Sequence, residues 1–574
     1  MTPRRPWLDV GLELAAGLTL AAGLVPLITG GRGIAIGPWT IPAREAWRPF
    51  TVAGALLLFR LARARWLRRS AERVSAGRTW TDAVAVVGFT CGIAAAVLVW
   101  THLQVRFCGG LDSYGYVSAA HAIVSGEPVQ RDPMIEWLPF SRAIEATSPL
   151  GWILAPSGDA IVPGYPLGFP MAMAAFIWVA GPGAAFYVPL LAGLGVLVLT
   201  YRLTHTLTDP TVAAVATLVV AWNPVLTNMV VQPMSDAPAA FWYLLAVTTL
   251  LVPPARPVMS GLGFAMAVWT RPLVLALVPG LLWVMPRRRQ TLFRFIAGTV
   301  PVFVAMAGMQ WLLYGSPLRT GYGGTAGLFT TGNTWRHLLA FGKWTIVVHS
   351  PLFIVALAAG IWRAPRRLVT VAVTGMVTGI VPYLFNLQYF DDWDLVRYTL
   401  PVLVPCVIVA AVGVASLVQA YVPRPASVVV LLCLAAAVAA GSFRFVAGQS
   451  TWQLGLQESR YALVAEWFRQ HTPPDAIVLA DLHSGSLRLY ANRATLRWVR
   501  MPPGSLAPTV TAGARRGIAF YAALDGDDEA RSFQRHFAIE LQGVVSEPVG
   551  RIRNTTVFRL SPQLDAGRRV SPGV

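Results

Sequence analysis

VRYTLPVLVPCVIVAAVGVASLV, residues 396–418, decides the solvent in which this chain folds. Beyond Arg397 the stretch carries no charge, and a helix of about 20 residues is long enough to cross the hydrocarbon core of a bilayer. Outward from it, apolar stretches of spanning or near-spanning length recur at 8–28, 49–66, 82–103, 184–204, 211–229, 237–252, 258–270, 272–285, 294–314, 346–362, 368–388 and 427–447. Hydrophobic residues make up 55% of the 574 and charged residues 13%, a balance no water-soluble domain could enclose. The sequence therefore predicts an all-α polytopic membrane bundle of about 13 transmembrane helices.

The net charge is +19, but the arginines sit in short runs between apolar stretches and trace no basic face, which excludes a nucleic-acid partner. With thirteen spans, Arg4, Arg5, the run from Arg60 to Arg78, Arg202, Arg256, Arg287 to Arg289, Arg363, Arg366, Arg367 and Arg424 all fall on one side. By the positive-inside rule that side is the cytoplasm, with the N-terminus inside and everything after about 448 outside the inner membrane. The run at 8–28 is long enough to remain as an uncleaved first helix. The Thr270-Arg271-Pro272 junction reads as two half-length helices meeting at the outer surface. Cys91, Cys108, Cys406 and Cys433 have no CxxC spacing, so neither a disulfide framework nor a metal knuckle is indicated.

These signals divide the chain into N-terminal helices (1–103), a long first outer loop (104–183), a transmembrane bundle (184–447) with a second outer loop (315–345), an outer domain (448–562) and a disordered tail (563–574). Within the first loop, 165–180 is apolar, short and Pro-rich, and reads as a helix in the outer interface. In the outer domain, 460–470 has helical periodicity, and 476–481, 517–524 and 555–560 are strand-like, which predicts a small α/β domain. The His483-Ser484-Gly485-Ser486 turn has no P-loop or GxGxxG context and reads as structural.

The first outer loop opens with Gly109-Gly110-Leu111-Asp112-Ser113-Tyr114-Gly115-Tyr116. A carboxylate a few residues beyond the membrane surface is placed to act on substrates arriving from lipid, although Asp112 also reads as the cap of the helix that follows. Six segments in order, DSYGYVSAAHAIVSGEP (112–128), VPGYPLGFP (162–170), QPMSDAPAAFW (232–242), GLGFAMAVWTRP (261–272), LYGSPLRTGYG (313–323) and DDWDLVRYTLPVLVP (391–405), resemble the GT-C class of integral membrane glycosyltransferases. Within that class they are similar to bacterial relatives of protein O-mannosyltransferases and of aminoarabinose and lipopolysaccharide-core sugar transferases. The resemblance implies that the first-loop acid, Asp112, is the catalytic base. Many members have a second acid beside it, where this chain has Leu111 and Ser113.

A sugar carried on a lipid phosphate brings its own leaving group, so such a protein must orient or deprotonate an acceptor hydroxyl and offset charge on the departing phosphate. Arg271, Arg319, Arg397 and Lys343, the only lysine, are the cations expected to face outward near the membrane boundary, each also readable as an interfacial anchor. Asp236 reads as an orienting acid or a helix cap. Tyr114 and Tyr165 are candidates for stacking on sugar, within an aromatic belt common to membrane proteins. His349 lies just inside a span and reads mainly as packing.

The expectation is an inverting transferase with a polyprenyl-phosphate sugar as donor and a glycan, lipid or protein as acceptor. No cofactor is required by it, though a divalent metal is compatible with the phosphate. The alternative is a transporter or flippase of lipid-linked sugars, which would favour internal repeats and ionisable groups near mid-membrane. A third is a scaffold whose outer domain binds a partner.

Overall fold

The computed structural model describes residues 34–36, 39–41, 80–322 and 325–563. The chain forms two compact units, 1–86 and 87–574. In the first, β1 (Ile34–Ile36) and β2 (Trp39–Ile41) pair antiparallel, Ile34 opposite Ile41. The expected spans at 8–28 and 49–66 lie outside the described residues.

Among the described residues six helices are long and apolar enough to cross a membrane: Ala85–Leu103, Pro182–Leu207, Arg289–Tyr314, Arg366–Leu384, Trp393–Tyr421 and Arg424–Gly448. The chain is a multi-pass membrane protein, but the count reaches eight only if two bent pairs are each one span. The figure of 13 is not confirmed: two of those stretches lie outside the described residues and several others are broken. The stretch 211–229 becomes Pro210–Ala221 and Pro224–Val230, bent by 59°. Pro224 has no amide to donate and pushes Asn223 out of the helical region, and the Asn223 side chain caps the second helix at Val225 and Leu226. The stretch 346–362 is likewise broken. Thr334–His349 and Pro351–Arg363 meet at Ser350, bent by 95°, with Ser350 at φ +69° and its hydroxyl accepting from Leu352 N.

Three further apolar helices are short. Asp236–Leu251 and Pro257–Thr270 are followed by a 3-10 turn, Pro272–Leu277, that runs into Val278–Val284. The break at Arg271 is the one expected from Arg-Pro. Pro257–Thr270 lies backbone to backbone against Arg289–Tyr314, where a Cβ on Gly261 would overlap the Phe295 carbonyl oxygen and one on Gly298 the Val258 carbonyl oxygen. In lipid, where apolar burial gives little drive, such small-residue contact is a main source of helix association.

The first loop, 104–183, carries secondary structure of its own. It contains the helix Asp112–Ser125, the hairpin of β3 (Trp152–Leu154) and β4 (Ile161–Pro163), and the helix Gly168–Ala180. The C-terminal part holds the helix Leu454–His471 and a five-stranded sheet of β5 (Ile477–Leu479), β6 (Ala494–Leu496), β7 (Phe520–Asp525), β8 (Val544–Ile552) and β9 (Thr555–Pro562). Its order is β6-β5-β7-β9-β8, parallel across β6-β5-β7 and antiparallel beyond. The first loop and this sheet share one hydrophobic core: Met134, Leu138, Ala143 and Ala146 pack with Ile477, Leu479, Leu496 and Phe520.

Candidate active site at one end of the bundle

Gly109 and Gly110 turn the chain out of the first described span, Gly110 at φ +61°, a conformation that favours glycine. The helix then begins at Asp112. Its N-cap position is Leu111, which makes no capping bond, so the cap role that the sequence left open for Asp112 is not the one it plays. Asp112 Oδ1 instead accepts a hydrogen bond from the Tyr165 hydroxyl at 2.5 Å, and Oδ2 faces Arg397 Nη2 at 3.7 Å. The carboxylate remains 35% exposed, accessible to a small acceptor. Burial, reinforced by the adjacent Asp112 charge, pushes the Tyr165 hydroxyl far above its ordinary range, which fixes it as a hydrogen-bond donor to the carboxylate.

Asp236 opens its own helix but caps nothing. It is fully buried and ion-paired with Arg271, which stands at the break after Thr270. Its second oxygen, Oδ2, is buried and without a hydrogen-bond partner. Arg271 also approaches the Tyr398 ring at 5.0 Å and lies near the Tyr383 hydroxyl. Arg397, 5.1 Å from the same ring, pairs with Asp394 at 3.2 Å. Asp394 in turn accepts from Asn228 Nδ2 at 3.1 Å, and Asn228 Oδ1 accepts from the Thr451 hydroxyl at 3.0 Å. A continuous polar chain thus runs from the end of the last span to Asp112.

Tyrosines link the two charge centres. Tyr116 stacks between Tyr165 at 4.7 Å and Phe169 at 5.1 Å, and its hydroxyl shares a hydrogen bond of 2.9 Å with Ser235, next to Asp236. Tyr322 meets Tyr165 edge-on at 5.9 Å. The cluster holds three carboxylates (Asp112, Asp236, Asp394) and two guanidiniums (Arg271, Arg397), with both guanidiniums mostly buried. Beside it lies a small pocket whose lining includes Pro166, Trp269, Pro272, Met306, Gln310 and Thr320; Pro166 and Pro272 directly follow Tyr165 and Arg271 in sequence.

Of the candidates read from sequence, the structure brings Asp112, Tyr165, Asp236, Arg271 and Arg397 together. Tyr114 goes elsewhere: it is buried, and its ring lies against Gly485 of the outer domain. Lys343 is half exposed, 3.0 Å from Asp391 and 4.4 Å from the Trp344 ring. His349 approaches the Asn223 side chain at 3.4 Å. His483 is buried and bonded to Thr555. Among the described residues no group of three or more His, Cys, Asp or Glu could hold a metal ion. Sequence reasoning passed over Ser235, Tyr383, Asp394, Tyr398 and Asn228, and had Tyr116 only as one of several aromatics that could stack on sugar. Spacing carried a local signal for two: Asp394 lies three residues before Arg397 and Tyr116 four after Asp112, both spacings that share a helical face.

A family model described as a domain of unknown function (DUF6798) matches residues 461–498. No curated protein matches the sequence. Among solved structures, the chain is similar to ArnT from Cupriavidus metallidurans bound to undecaprenyl phosphate, with a TM-score of 0.53 and 13% identity over 82% of this chain and 97% of that one. The apo form of ArnT gives a TM-score of 0.51 and 14% identity over 83% and 98%. The apo oligosaccharyltransferase of Archaeoglobus fulgidus gives 0.48 and 12% over 83% and 75%. At these identities the likeness to ArnT is one of fold.

Proposed function

We propose that this chain, which carries the fold of a GT-C membrane glycosyltransferase, transfers a sugar from a polyprenyl-phosphate carrier to a hydroxyl acceptor on the outer side of the cytoplasmic membrane. The observation that carries the proposal is a surface-open carboxylate, Asp112, held by Tyr165 and facing Arg397, in one cluster with the buried Arg271. The donor class is supported by the two guanidiniums, which suit a phosphate. The solved ArnT structure holds undecaprenyl phosphate.

In the reaction, the acceptor oxygen attacks the anomeric carbon from the face opposite the phosphate. Its proton passes to Asp112 as the new carbon–oxygen bond forms, and the carbon–oxygen bond to phosphate breaks with inversion. Arg271 and Arg397 offset the charge gathering on the departing lipid phosphate. Asp112→Asn tests this directly. It keeps shape but accepts no full proton, and turnover should fall by roughly 10²- to 10⁴-fold in a folded protein. A well-folded variant above about a tenth of parental turnover removes Asp112 from the mechanism.

The broken helices at Asn223, Arg271 and Ser350 are also a feature of transporters, so a flippase of lipid-linked sugars is the second reading. The two part on product. A transferase consumes labelled carrier-linked sugar in detergent, without a compartment to cross.

A further inference from the structure

We infer that Glu458, Tyr461 and Tyr490 of the outer domain are positioning residues that hold the Cys108–Gly110 turn and thereby place the Asp112 carboxylate. The inference rests on the proposed role of Asp112. Where that carboxylate sits depends on where its helix begins, two residues after Gly110. The turn before it is gripped from the outer domain at three successive residues.

The Cys108 amide donates to the Tyr490 hydroxyl at 3.0 Å, and the Cys108 sulfur lies 3.2 Å from the same oxygen. The Gly109 amide donates to Ser113 Oγ at 3.3 Å, and the buried Glu458 carboxyl lies beside it. The Tyr461 ring lies flat on Gly109, where any Cβ would overlap its ring carbons, and the Tyr461 hydroxyl reaches Gly110. On the loop side, Ser113 Oγ closes the turn by donating to the Gly109 carbonyl at 2.7 Å.

The platform behind the turn is itself fixed. Arg460 donates to the Tyr461 hydroxyl at 3.1 Å and pairs with Asp525 of β7 at 3.0 Å. Further along, the same outer segment holds the rest of the loop. Gly485 receives the Tyr114 ring, Ser484 Oγ accepts from the Leu150 amide at 3.2 Å, and Arg488 bonds Asp132 at 2.8 Å and the Thr147 carbonyl at 2.7 Å. Residues 458–490 thus act on the site through the loop backbone. A shift of about 1 Å in a reacting group can cost on the order of 10²-fold in rate.

The test uses the full chain in detergent with Cys91 and Cys433 replaced by Ser, leaving Cys108 and the buried Cys406. Three readouts are taken: labelling of Cys108 by a water-soluble maleimide, binding of undecaprenyl phosphate, and turnover of the labelled undecaprenyl-phosphate sugar on which the parent is fastest. Tyr461→Ala and Glu458→Gln should each label Cys108 faster and lower kcat, by about tenfold or more for Tyr461→Ala, while carrier affinity stays within about twofold. Gly109→Ala should collapse kcat in the parent yet cost little in the Tyr461→Ala background, the non-additivity of groups in contact.

Parental kcat in Glu458→Gln and Tyr461→Ala, or parental Cys108 labelling in both, overturns the inference. If Tyr461→Ala does not purify as a single species, Glu458→Gln, which keeps its shape, decides by the same two readouts. Asp112→Asn is run alongside. Full activity in that variant sinks the role of Asp112 itself, whereas an inactive Asp112→Asn with fully active Glu458 and Tyr461 variants sinks only the positioning role.

Discussion

Replacing Asp236 by Asn removes the charge that faces Arg271 and keeps the shape, which makes it a measure of how the site stores its cation. At ordinary ion-pair separation, two unit charges attract by about 6 kcal/mol at an effective dielectric constant of about 20. Much of that offsets the desolvation of both groups, so the measurable quantity is the cost of leaving one partner alone, about 3–5 kcal/mol for a buried pair. Asp236 is 1% exposed and Arg271 17%, and Arg271 keeps Tyr383 and the Tyr398 ring as neighbours. The expected loss therefore lies at the lower end, about 3 kcal/mol.

The assay is a double-mutant cycle of Asp236→Asn, Arg271→Gln and the double variant, with unfolding followed in detergent. Undecaprenyl phosphate should recover part of the loss in Asp236→Asn, because its phosphate replaces the missing counter-ion, and none in Arg271→Gln. A coupling under about 1 kcal/mol, the size of a solvated surface pair, refutes the buried-pair argument. Equal recovery in both variants refutes the assignment of Arg271 to the phosphate.

Asn228→Leu breaks the polar chain behind Arg397 and leaves Asp394 and the Thr451 hydroxyl without it. Turnover should fall by about tenfold, the cost of roughly one net hydrogen bond, and unchanged turnover would show that Asp394 holds Arg397 unaided. Gly261→Ala should abolish folded yield, since two helices must part to admit one methyl; normal monodisperse yield on size exclusion contradicts that packing. Burial pushes the Glu458 carboxyl from 4.5 up to about 7, so its folded form binds the proton more tightly, and its contribution to stability is complete below about 4.5 and lost as pH rises through 7. Burial and the nearby Arg460 push His483 from 6.5 down to about 3, so its contribution is lost as pH falls through that window. The two oppose each other between 4.5 and 6.5. The parent should therefore lose stability between about pH 6 and pH 8 and Glu458→Gln should not, read as unfolding midpoints across that range; parallel curves would refute the assignment.

Hydropathy located most of the apolar stretches because a window of about 20 residues averages out everything but composition. The same averaging hid the breaks. Asn223-Pro224 and Ser350-Pro351 each pair a capping side chain with a proline, a helix-start signal that was present in the sequence. Strand β8 escaped notice because it is an edge strand exposed on both faces, with Pro548 at an irregularity in its register. At the site, the residue types and their order were legible but the pairings were not. Nothing local ties Asp236 to Arg271, 35 residues on. Tyr114 was avoidable: two residues from Asp112 puts it on the opposite side of the helix, whereas Tyr116 at four shares the face.

The bond between Cys108 and Tyr490 joins residues 382 apart in sequence. At a synthesis rate of about 5–20 residues per second, the ribosome reaches Tyr490 roughly 20–80 s after it has made Cys108. Throughout that interval the first loop is without the partners that shape it, its Met134 and Leu138 uncovered. Completion of the last domain is therefore the step at which the molecule matures. A chain cut short after Gly448 would insert into the bilayer and still be inert, so a cell that degrades such fragments need only recognise the bare loop.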